Sequence, residues 1–299
     1  MTNIIQKRYY FLAVSGILVI LSLAAVFAFG FKQGTDLVGG TQWQFSLGRD
    51  VSESEVHDAF LRVSRERGAS VKRAEDGSFI ARTSNITQEE KARYEEELSR
   101  SFGSLSEKNF SNIGPSIGTE LKNKSLLAMA FVLFGISLYI AFAFRKVSRP
   151  VSSWKYGFVT LITLFHDVAI PSGLLAVLGR FYGIEIDTNF IVALLVVMGF
   201  SVHDTIVVFD RIRENLILSR GKGLGLGEVV NQSIKETMVR SINTSLTLFI
   251  VLVALLFLGP PSLFYFILVM LVGTFFGAYS SIFVASPLLY EWHRLRGGE

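Results

Sequence analysis

The stretch TNFIVALLVVMGFSVHDTIVVFD at residues 188–210 decides the fold class of this chain. From Phe190 to Val202 it is almost wholly apolar, and a helix that crosses a bilayer needs about 20 mostly apolar residues. The carboxylate of Asp204 falls inside this stretch rather than at its end, and an ionisable group at that depth is costly unless it has a function. We therefore predict a transmembrane helix with a functional carboxylate.

Five other stretches satisfy the same length criterion. Half of the 299 residues are hydrophobic and the mean hydropathy is +0.45, values that few soluble domains reach. The first apolar run is too long for a signal peptide, whose apolar region is about 7–15 residues, so we interpret it as an uncleaved helix. The six predicted spans are residues 11–31, 122–144, 156–179, 188–210, 239–258 and 263–287.

The composition also excludes several kinds of site. The chain has no cysteine, which excludes disulfides, thiolate metal ligands and cysteine nucleophiles. Its four histidines lack the spacing of a metal site, and no nucleophile–base arrangement is present. We therefore predict neither an enzyme nor a bound metal or cofactor, and the net charge of +4 does not indicate a nucleic-acid partner.

Positive charge alternates between the connecting segments, and lysine and arginine concentrate on the cytoplasmic side of membrane proteins. On the other side the short loops carry Arg180 in one case and no positive residue in Gly259-Pro260-Pro261-Ser262. We therefore predict that both termini are cytoplasmic. The charges on the predicted cytoplasmic side are Lys7, Arg8, Arg145, Lys146, Arg149, Lys155, Arg211, Arg213, Arg220, Lys222, Lys235, Arg294 and Arg296.

Residues 32–118 are predicted to form a small periplasmic α+β domain between the first two spans. Strands are indicated at 41–47, 69–73, 79–83 and 108–113, with helices at 52–63 and 87–102. Asp76-Gly77 favours a hairpin turn, and Thr87 with Glu90 forms a capping box. The order β-α-β-β-α-β is typical of the ferredoxin-like fold.

The remaining domain boundaries follow from the spans. Residues 1–31 hold the N-terminus and first helix, 119–290 hold helices two to six with a cytoplasmic loop at 211–238, and 291–299 form a cytoplasmic tail. Four glycines between 221 and 227 interrupt that loop without forming a phosphate-binding motif. The segment 228–235 has helical spacing, and we expect it to lie on the membrane surface before the chain re-enters.

The fifth span suggests a partner for Asp204. Only Leu246 to Leu258 is strongly apolar, and thirteen residues at 1.5 Å each cover about 20 Å of a core about 30 Å thick. Arg240 must therefore enter the membrane, which leads us to expect an ion pair with Asp204. Such a pair could be part of a proton relay that includes His203, or a static contact that only fixes helix packing.

Other positions are candidates for the same relay. His166 and Asp167 lie about ten residues inside the third span, where they could relay protons or serve only packing. Asp210 ends the fourth span, where an anchoring role is equally ordinary. In the sixth span Gly273, Gly277, Ser281 and Ala285 form a stripe of small residues at every fourth position, which favours close helix packing against this chain or a partner.

These motifs resemble those of a known family. They are GTDLVGGT at 34–41, FHD at 165–167, GFSVHDTIVVFDRIREN at 199–215, RSINTS at 240–245 and Gly259-Pro260. Together they resemble the SecD/SecF protein-export family of the RND superfamily, on the SecF side, over nearly the whole chain. His203 departs from the pattern, since the family commonly has asparagine there.

The resemblance implies a subunit that uses the proton-motive force to assist Sec-dependent protein translocation across the bacterial inner membrane. The implied relay residues are Asp204 and Arg240. The implied partners are a SecD-like subunit, the SecYEG translocon, a YajC-like accessory protein, unfolded preprotein and membrane lipid. Alternatives are half of an RND-type exporter, which the small outer domain disfavours, and an assembly subunit that transduces no energy.

Overall fold

A computed structural model of the chain describes residues 3–63, 69–74, 76–146, 151–219 and 223–295, apart from the side chain of Lys146. Five residues mentioned above, Arg149, Arg220, Gly221, Lys222 and Arg296, lie outside these ranges. The chain divides into a membrane unit, Met1–Lys32 with Leu127–Glu299, and an inserted domain, Gln33–Leu126.

The secondary structure is mostly helical, with one small sheet. The strands are β1 (Gly40–Leu47), β2 (Ser70–Arg73), β3 (Phe79–Thr83) and β4 (Leu105–Ile113). The helices are α1 (Arg8–Phe29), α2 (Thr35–Val38), α3 (Glu53–Val63), α4 (Gln88–Phe102), α5 (Pro115–Ala143), α6 (Ser153–Tyr182), α7 (Thr188–Leu218), α8 (Leu226–Leu258), α9 (Phe264–Ser280) and α10 (Ser286–Arg294). A π-helical turn, Ser281–Ala285, joins α9 to α10.

Six helices of the described chain are long and apolar enough to cross a membrane, which confirms the predicted number of spans. Their burial separates them into two groups. Among the 18 most apolar consecutive residues of each helix, 67% are buried in α6, 56% in α7 and 50% in the run Pro261–Arg294. The corresponding shares are 11% in α1, 11% in α5 and 17% in α8. The interior of the membrane unit therefore lies between α6, α7 and α9, and the polar site must be sought there.

The ends of the membrane unit can be told apart by the chain termini. Arg8 at the start of α1 pairs with Glu291 of α10, with Nε and Oε2 2.6 Å apart. We call this end the terminal end. The backbone N–H of Ile4 also donates to Asn231 Oδ1 of α8 (3.0 Å), so the first turns of α8 lie at the same end.

The expectation of a separate surface helix at 228–235 is wrong. Those residues lie in the first three turns of α8, which is continuous from Leu226 to Leu258. Val230 and Ile234 are fully buried, and Asn215 of α7 donates to Ser233 Oγ (3.0 Å). The segment stays in the bundle because α7 also continues beyond the predicted end at Asp210, to Leu218, and covers its apolar face.

The inserted domain has the predicted order of strands and helices. Its four strands pair antiparallel in the order β2-β3-β1-β4. The two central strands are therefore β3 and β1, as in a split βαβ arrangement. Alternate residues of β1 face α3 and α4, and Trp43, Phe45, Phe60 and Tyr94 form the centre of the core. The capping box of Thr87 and Glu90 begins α4 as expected.

Candidate functional site

A buried carboxylate lies at the centre of the membrane unit, on α6. Asp167 is completely buried, and its Oδ1 is 2.8 Å from Nδ1 of His166. Its Oδ2 accepts hydrogen bonds from two serine hydroxyls, Ser201 of α7 and Ser280 of α9, the latter at 2.9 Å. Three helices thus converge on one side chain, whose hydrogen bonds stabilise a charge that burial alone would make costly.

The second carboxylate, Asp204, lies on α7 with 2% of its surface exposed. Its Oδ2 accepts a hydrogen bond from Ser245 of α8 at 2.8 Å. Oδ1 is 3.8 Å from Nδ1 of His203, too far for a hydrogen bond. The His203 side chain is 59% exposed and faces away from the bundle, so the carboxylate and the imidazole of this dipeptide have different environments.

One helix turn connects the two carboxylates. Ser201, which donates to Asp167, precedes Asp204 by three residues and therefore shares its face of α7. On the same face Thr205 Oγ1 lies 3.0 Å from the hydroxyl of Ser281, the first residue of the π-helical turn. The result is a set of buried polar side chains at one level of α6, α7, α8 and the α9–α10 junction. We call it the polar layer: Asp167, Ser201, Asp204, Thr205, Ser245, Ser280 and Ser281.

Small residues of the sixth span make this layer possible. A Cβ on Gly273 would lie 2.5 Å from Val197 Cγ2, and one on Gly277 would lie 2.9 Å from Ser201 Cβ, both closer than real contacts allow. The stripe predicted from the sequence thus packs α9 against α7 of the same chain. The close approach brings Ser280 within reach of Asp167.

The expected ion pair between Asp204 and Arg240 is not present. Within the described ranges neither Asp167 nor Asp204 has a lysine or arginine nitrogen within 4.0 Å, and the Arg240 side chain is exposed without an ion-pair partner. The residue of α8 that contacts Asp204 is Ser245. Arg240 precedes Ser245 by five residues, which displaces it about 7.5 Å along the helix toward the terminal end.

Arg240 and Asp210 instead line an open cavity of about 590 Å³ between α7 and α8 near the terminal end. Asp210 is exposed, with Oδ1 3.4 Å from an Arg213 nitrogen. Glu236 at the same cavity accepts a hydrogen bond from Arg211 Nε at 2.5 Å. The lining of the cavity is therefore charged, and most of its acidic and basic groups pair with each other. Among its described lining residues Arg240 is the cation without an ion-pair partner.

Comparison with known proteins establishes the family. Residues 93–295 match the family described as "Protein export membrane protein SecD/SecF, C-terminal". The chain is 40% identical over 303 residues to protein translocase subunit SecF of Thermobaculum terrenum, an alignment that covers 98% of this chain and 94% of the relative. The corresponding protein of Anaerolinea thermophila is 34% identical, with 98% and 94% covered.

This chain belongs to the SecF family. The resemblance inferred from the sequence motifs is thereby confirmed, and the relatives' names place the family in protein translocation, a transport role. The crystal structure of SecDF from Thermus thermophilus has the same fold, with a TM-score of 0.81 and 32% identity over 98% of this chain. The match covers 39% of the SecDF chain, so this chain spans about two fifths of that protein.

In this SecF-family chain, sequence reasoning found both carboxylates but missed most of their partners. Ser245 and Ser280 donate to them, and neither was singled out. Their signal is weak, since hydroxyls are common in spanning helices and usually bond to their own backbone, as Thr160 does to Tyr156 O. Only the spatial convergence of three helices distinguishes the two serines from such cases.

Proposed function

We propose that this SecF-family subunit uses the proton-motive force to assist protein translocation, and that its polar layer carries the protons. The observation that supports this most directly is a pair of buried carboxylates, Asp167 and Asp204, neither of which has a lysine or arginine partner in the described chain. Ser201, which donates to Asp167, lies one helix turn before Asp204 on α7. A buried carboxylate without a fixed cation can be neutralised by a proton, whereas a permanent ion pair would hold it ionised.

The polar layer offers groups that can accept and donate protons in succession. Serine and threonine hydroxyls do both, and His166 extends the chain of groups by one titratable ring. The cavity with Asp210 and Arg240 would give access from the terminal end. Each elementary charge that crosses 100 mV releases about 2.3 kcal/mol, the energy available to drive a conformational change.

We further propose that a SecD-like half covers the exposed face of α7 and α8. Arg240, Asn243 and Thr247 are exposed on one stripe of α8, and His203 is exposed on α7. Polar groups on spanning helices normally face other protein or an aqueous cavity rather than lipid. This chain matches about two fifths of the Thermus SecDF chain, and the rest of that chain is long enough to contain such a half.

The wider assembly follows from family membership. We propose that both termini are cytoplasmic, that the inserted domain is periplasmic and contacts unfolded preprotein, and that SecYEG and a YajC-like protein are further partners. Basic residues support this orientation, because Arg8, Arg211, Lys235 and Arg294 lie in the parts of α1, α7, α8 and α10 toward the terminal end. Proton passage would then drive movement of the inserted domain.

The decisive experiment is proton-gradient-dependent export in inverted membrane vesicles. Asp167→Asn and Asp204→Asn each preserve the size of the side chain and one acceptor oxygen but cannot take up a proton. We expect each to abolish the stimulation by the gradient while the gradient-independent export remains. Asp187→Asn is the matched control, because Asp187 caps α7 by accepting from the Phe190 N–H (3.0 Å) and asparagine caps equally well.

Other outcomes would support the alternatives. Full gradient dependence in both variants, with normal levels of protein, would mean that the polar layer only packs the helices and that the subunit serves assembly. Altered drug susceptibility with normal export would support an RND-type exporter half.

A further inference from the structure

One face of α8 carries a row of buried hydroxyls that leads from the open cavity to Asp204. The hydroxyls lie at every fourth position, so they share a single face of the helix. Thr237 in this row also lines the open cavity, together with Asp210 and Arg240. The far end of the row is the serine that donates to Asp204. We call this set the hydroxyl row: Ser233, Thr237, Ser241 and Ser245.

Contacts at both ends determine how the hydroxyl row faces α7. Asn215 donates to Ser233 Oγ (3.0 Å), and Ser245 donates to Asp204 Oδ2 (2.8 Å). Asn215 and Asp204 are nearly as far apart along α7 as the two serines are along α8, so the helices stay in contact between these points. All four residues of the row are buried. The row therefore lies inside the bundle over its whole length.

Ser241 differs from the rest of the row in its hydrogen bonding. Ser233 and Thr237 each donate to the backbone carbonyl four residues earlier, at 2.7 and 2.9 Å, as hydroxyls in helices commonly do. The Ser241 hydroxyl is 99% buried as a residue and has no hydrogen-bond partner within the described ranges, not even that carbonyl. A buried hydroxyl without a partner costs free energy, because its hydrogen bonds to water are lost and not replaced.

The spacing of the row fits a bridging water on Ser241. Four residues advance a helix by about 6 Å, which is too far for a direct hydrogen bond between successive hydroxyls. One water that makes two hydrogen bonds of about 2.8 Å spans about 5.6 Å. Buried waters normally bind polar groups that lack another partner. The open cavity reaches Thr237, one turn from Ser241, and is a source of such water.

We propose that water from the open cavity reaches Ser241, and that protons pass through the Ser241 hydroxyl to Ser245 and Asp204. The Ser245 hydroxyl gives its proton to Asp204 Oδ2 and takes another from the bridging water. That water is restored by the Ser241 hydroxyl, which takes a proton from water on the side of the cavity. One proton thus moves to the carboxylate, and each hydroxyl keeps its hydrogen. This path rests on the proton transport proposed for the polar layer.

A matched pair of variants tests the hydroxyl. Ser241→Thr and Ser241→Val add side chains of the same shape, but only threonine keeps the hydroxyl. In inverted vesicles we expect the gradient-dependent part of export to fall at least about tenfold in Ser241→Val, because a positioned proton-transfer group contributes about 100-fold or more. Ser241→Thr should keep most of that stimulation. Equal stimulation in the two variants would overturn the proposal.

Thiol accessibility tests for the water separately from transport. The chain has no cysteine, so Ser241→Cys introduces a single thiol, and a thiol reacts as its thiolate, which apolar surroundings disfavour. The control is Thr163→Cys on α6. Thr163 is as buried as Ser241 and lies one turn from Asp167, as Ser241 lies one turn from Ser245, but its hydroxyl donates to its own backbone.

The reagent is 2-aminoethyl methanethiosulfonate, applied to the full chain in opened native membranes, and the readout is the mass of the protein. We expect Ser241→Cys to react at least about tenfold faster than Thr163→Cys, because water favours the thiolate. Equal rates would overturn the proposal. Normal stimulation in Ser241→Val with a defect in Asp204→Asn would remove Ser241 from the path and leave proton transport intact. Normal stimulation in Asp204→Asn and Asp167→Asn would overturn proton transport itself.

Discussion

At the scale of the residue, the site depends on serine hydroxyls rather than on an arginine. Ser245 donates to Asp204, and Ser201 and Ser280 donate to Asp167. A hydroxyl lowers the cost of burying a carboxylate without neutralising it permanently, so the group can still exchange a proton. An arginine at the same position would hold the carboxylate ionised.

Double-mutant cycles test this assignment. The cycle of Asp204→Ala with Ser245→Ala should give a coupling of about 1 kcal/mol, because the hydrogen bond between the two side chains is lost only once. The cycle of Asp204→Asn with Arg240→Gln should stay within about 0.5 kcal/mol, as for residues without direct contact. The measurement is the free energy of unfolding in detergent. Strong coupling in the arginine cycle would restore the ion pair predicted from the sequence.

A pH-dependent contact belongs to the inserted domain. Hydrogen bonds from the Ser78 hydroxyl, then from Lys108 and the Ser78 backbone, hold the pKa of Asp76 well below its usual range. Since the unfolded value is about 3.9, the contact stabilises the domain above about pH 4 and is lost as the pH falls further.

Replacing Asp76 should therefore make the inserted domain less sensitive to acid. In Asp76→Asn we expect lower stability at neutral pH and a shallower loss of stability below pH 4. Fluorescence of the buried Trp43 reports the transition, with a Trp43→Phe chain to subtract the other tryptophans. Glu96→Gln, at an exposed position of α4, is the control and should keep the acid profile of the unmodified chain.

At the scale of the element, the contact of α7 with α9 is the one that assembles the polar layer. Gly277 lies against Ser201, Ser280 ends α9, and Ser281 begins the π-helical turn that follows it. Such turns often mark functional sites, because the extra residue redirects side chains on either side of it. Here the redirected hydroxyls belong to the site.

Gly277→Ala tests the importance of that contact. Its Cβ would lie 2.9 Å from Ser201 Cβ, so α9 must move, and we expect a loss of about 1–3 kcal/mol in unfolding free energy together with impaired gradient-dependent export. Gly199→Ala on α7 is the control: its Cβ meets nothing within 4 Å, and alanine favours helix by up to about 1 kcal/mol. Similar behaviour of the two variants would show that α7 and α9 are not tightly packed.

At the scale of the whole molecule, the distribution of basic residues determines the orientation that we propose for the membrane unit. The helix ends near Arg8 and Glu291 are rich in arginine, and the proposed orientation follows from that asymmetry. The absence of cysteine from the sequence makes the chain suited to a direct measurement.

Single cysteines can report the orientation. Ser99→Cys on the exposed side of α4 should react with a membrane-impermeant thiol reagent in spheroplasts. Ser219→Cys, directly after α7 near the terminal end, should react only after the membrane is opened. The cysteine-free chain must remain unlabelled. The reverse pattern would place the inserted domain in the cytoplasm and exclude its contact with exported preprotein.

The sequence by itself determined the features that depend on local pattern. The six spans follow from apolar length, the inserted ferredoxin-like domain from alternation and turn residues, and the family from the motif around Asp204. Both carboxylates were also predicted, because a charge inside an apolar run is visible in one dimension.

Tertiary structure decided which groups meet those carboxylates. Whether Arg240 or Ser245 faces Asp204 depends on the rotation of α8 and on its position along α7. Five residues correspond to about 140° around the helix axis and about 7.5 Å along it, and hydropathy detects neither. The same holds for Ser280, which the π turn and the small Gly277 bring to Asp167. Apolar length sets how many helices cross the membrane, and only side-chain packing between them sets the register in which their polar groups meet.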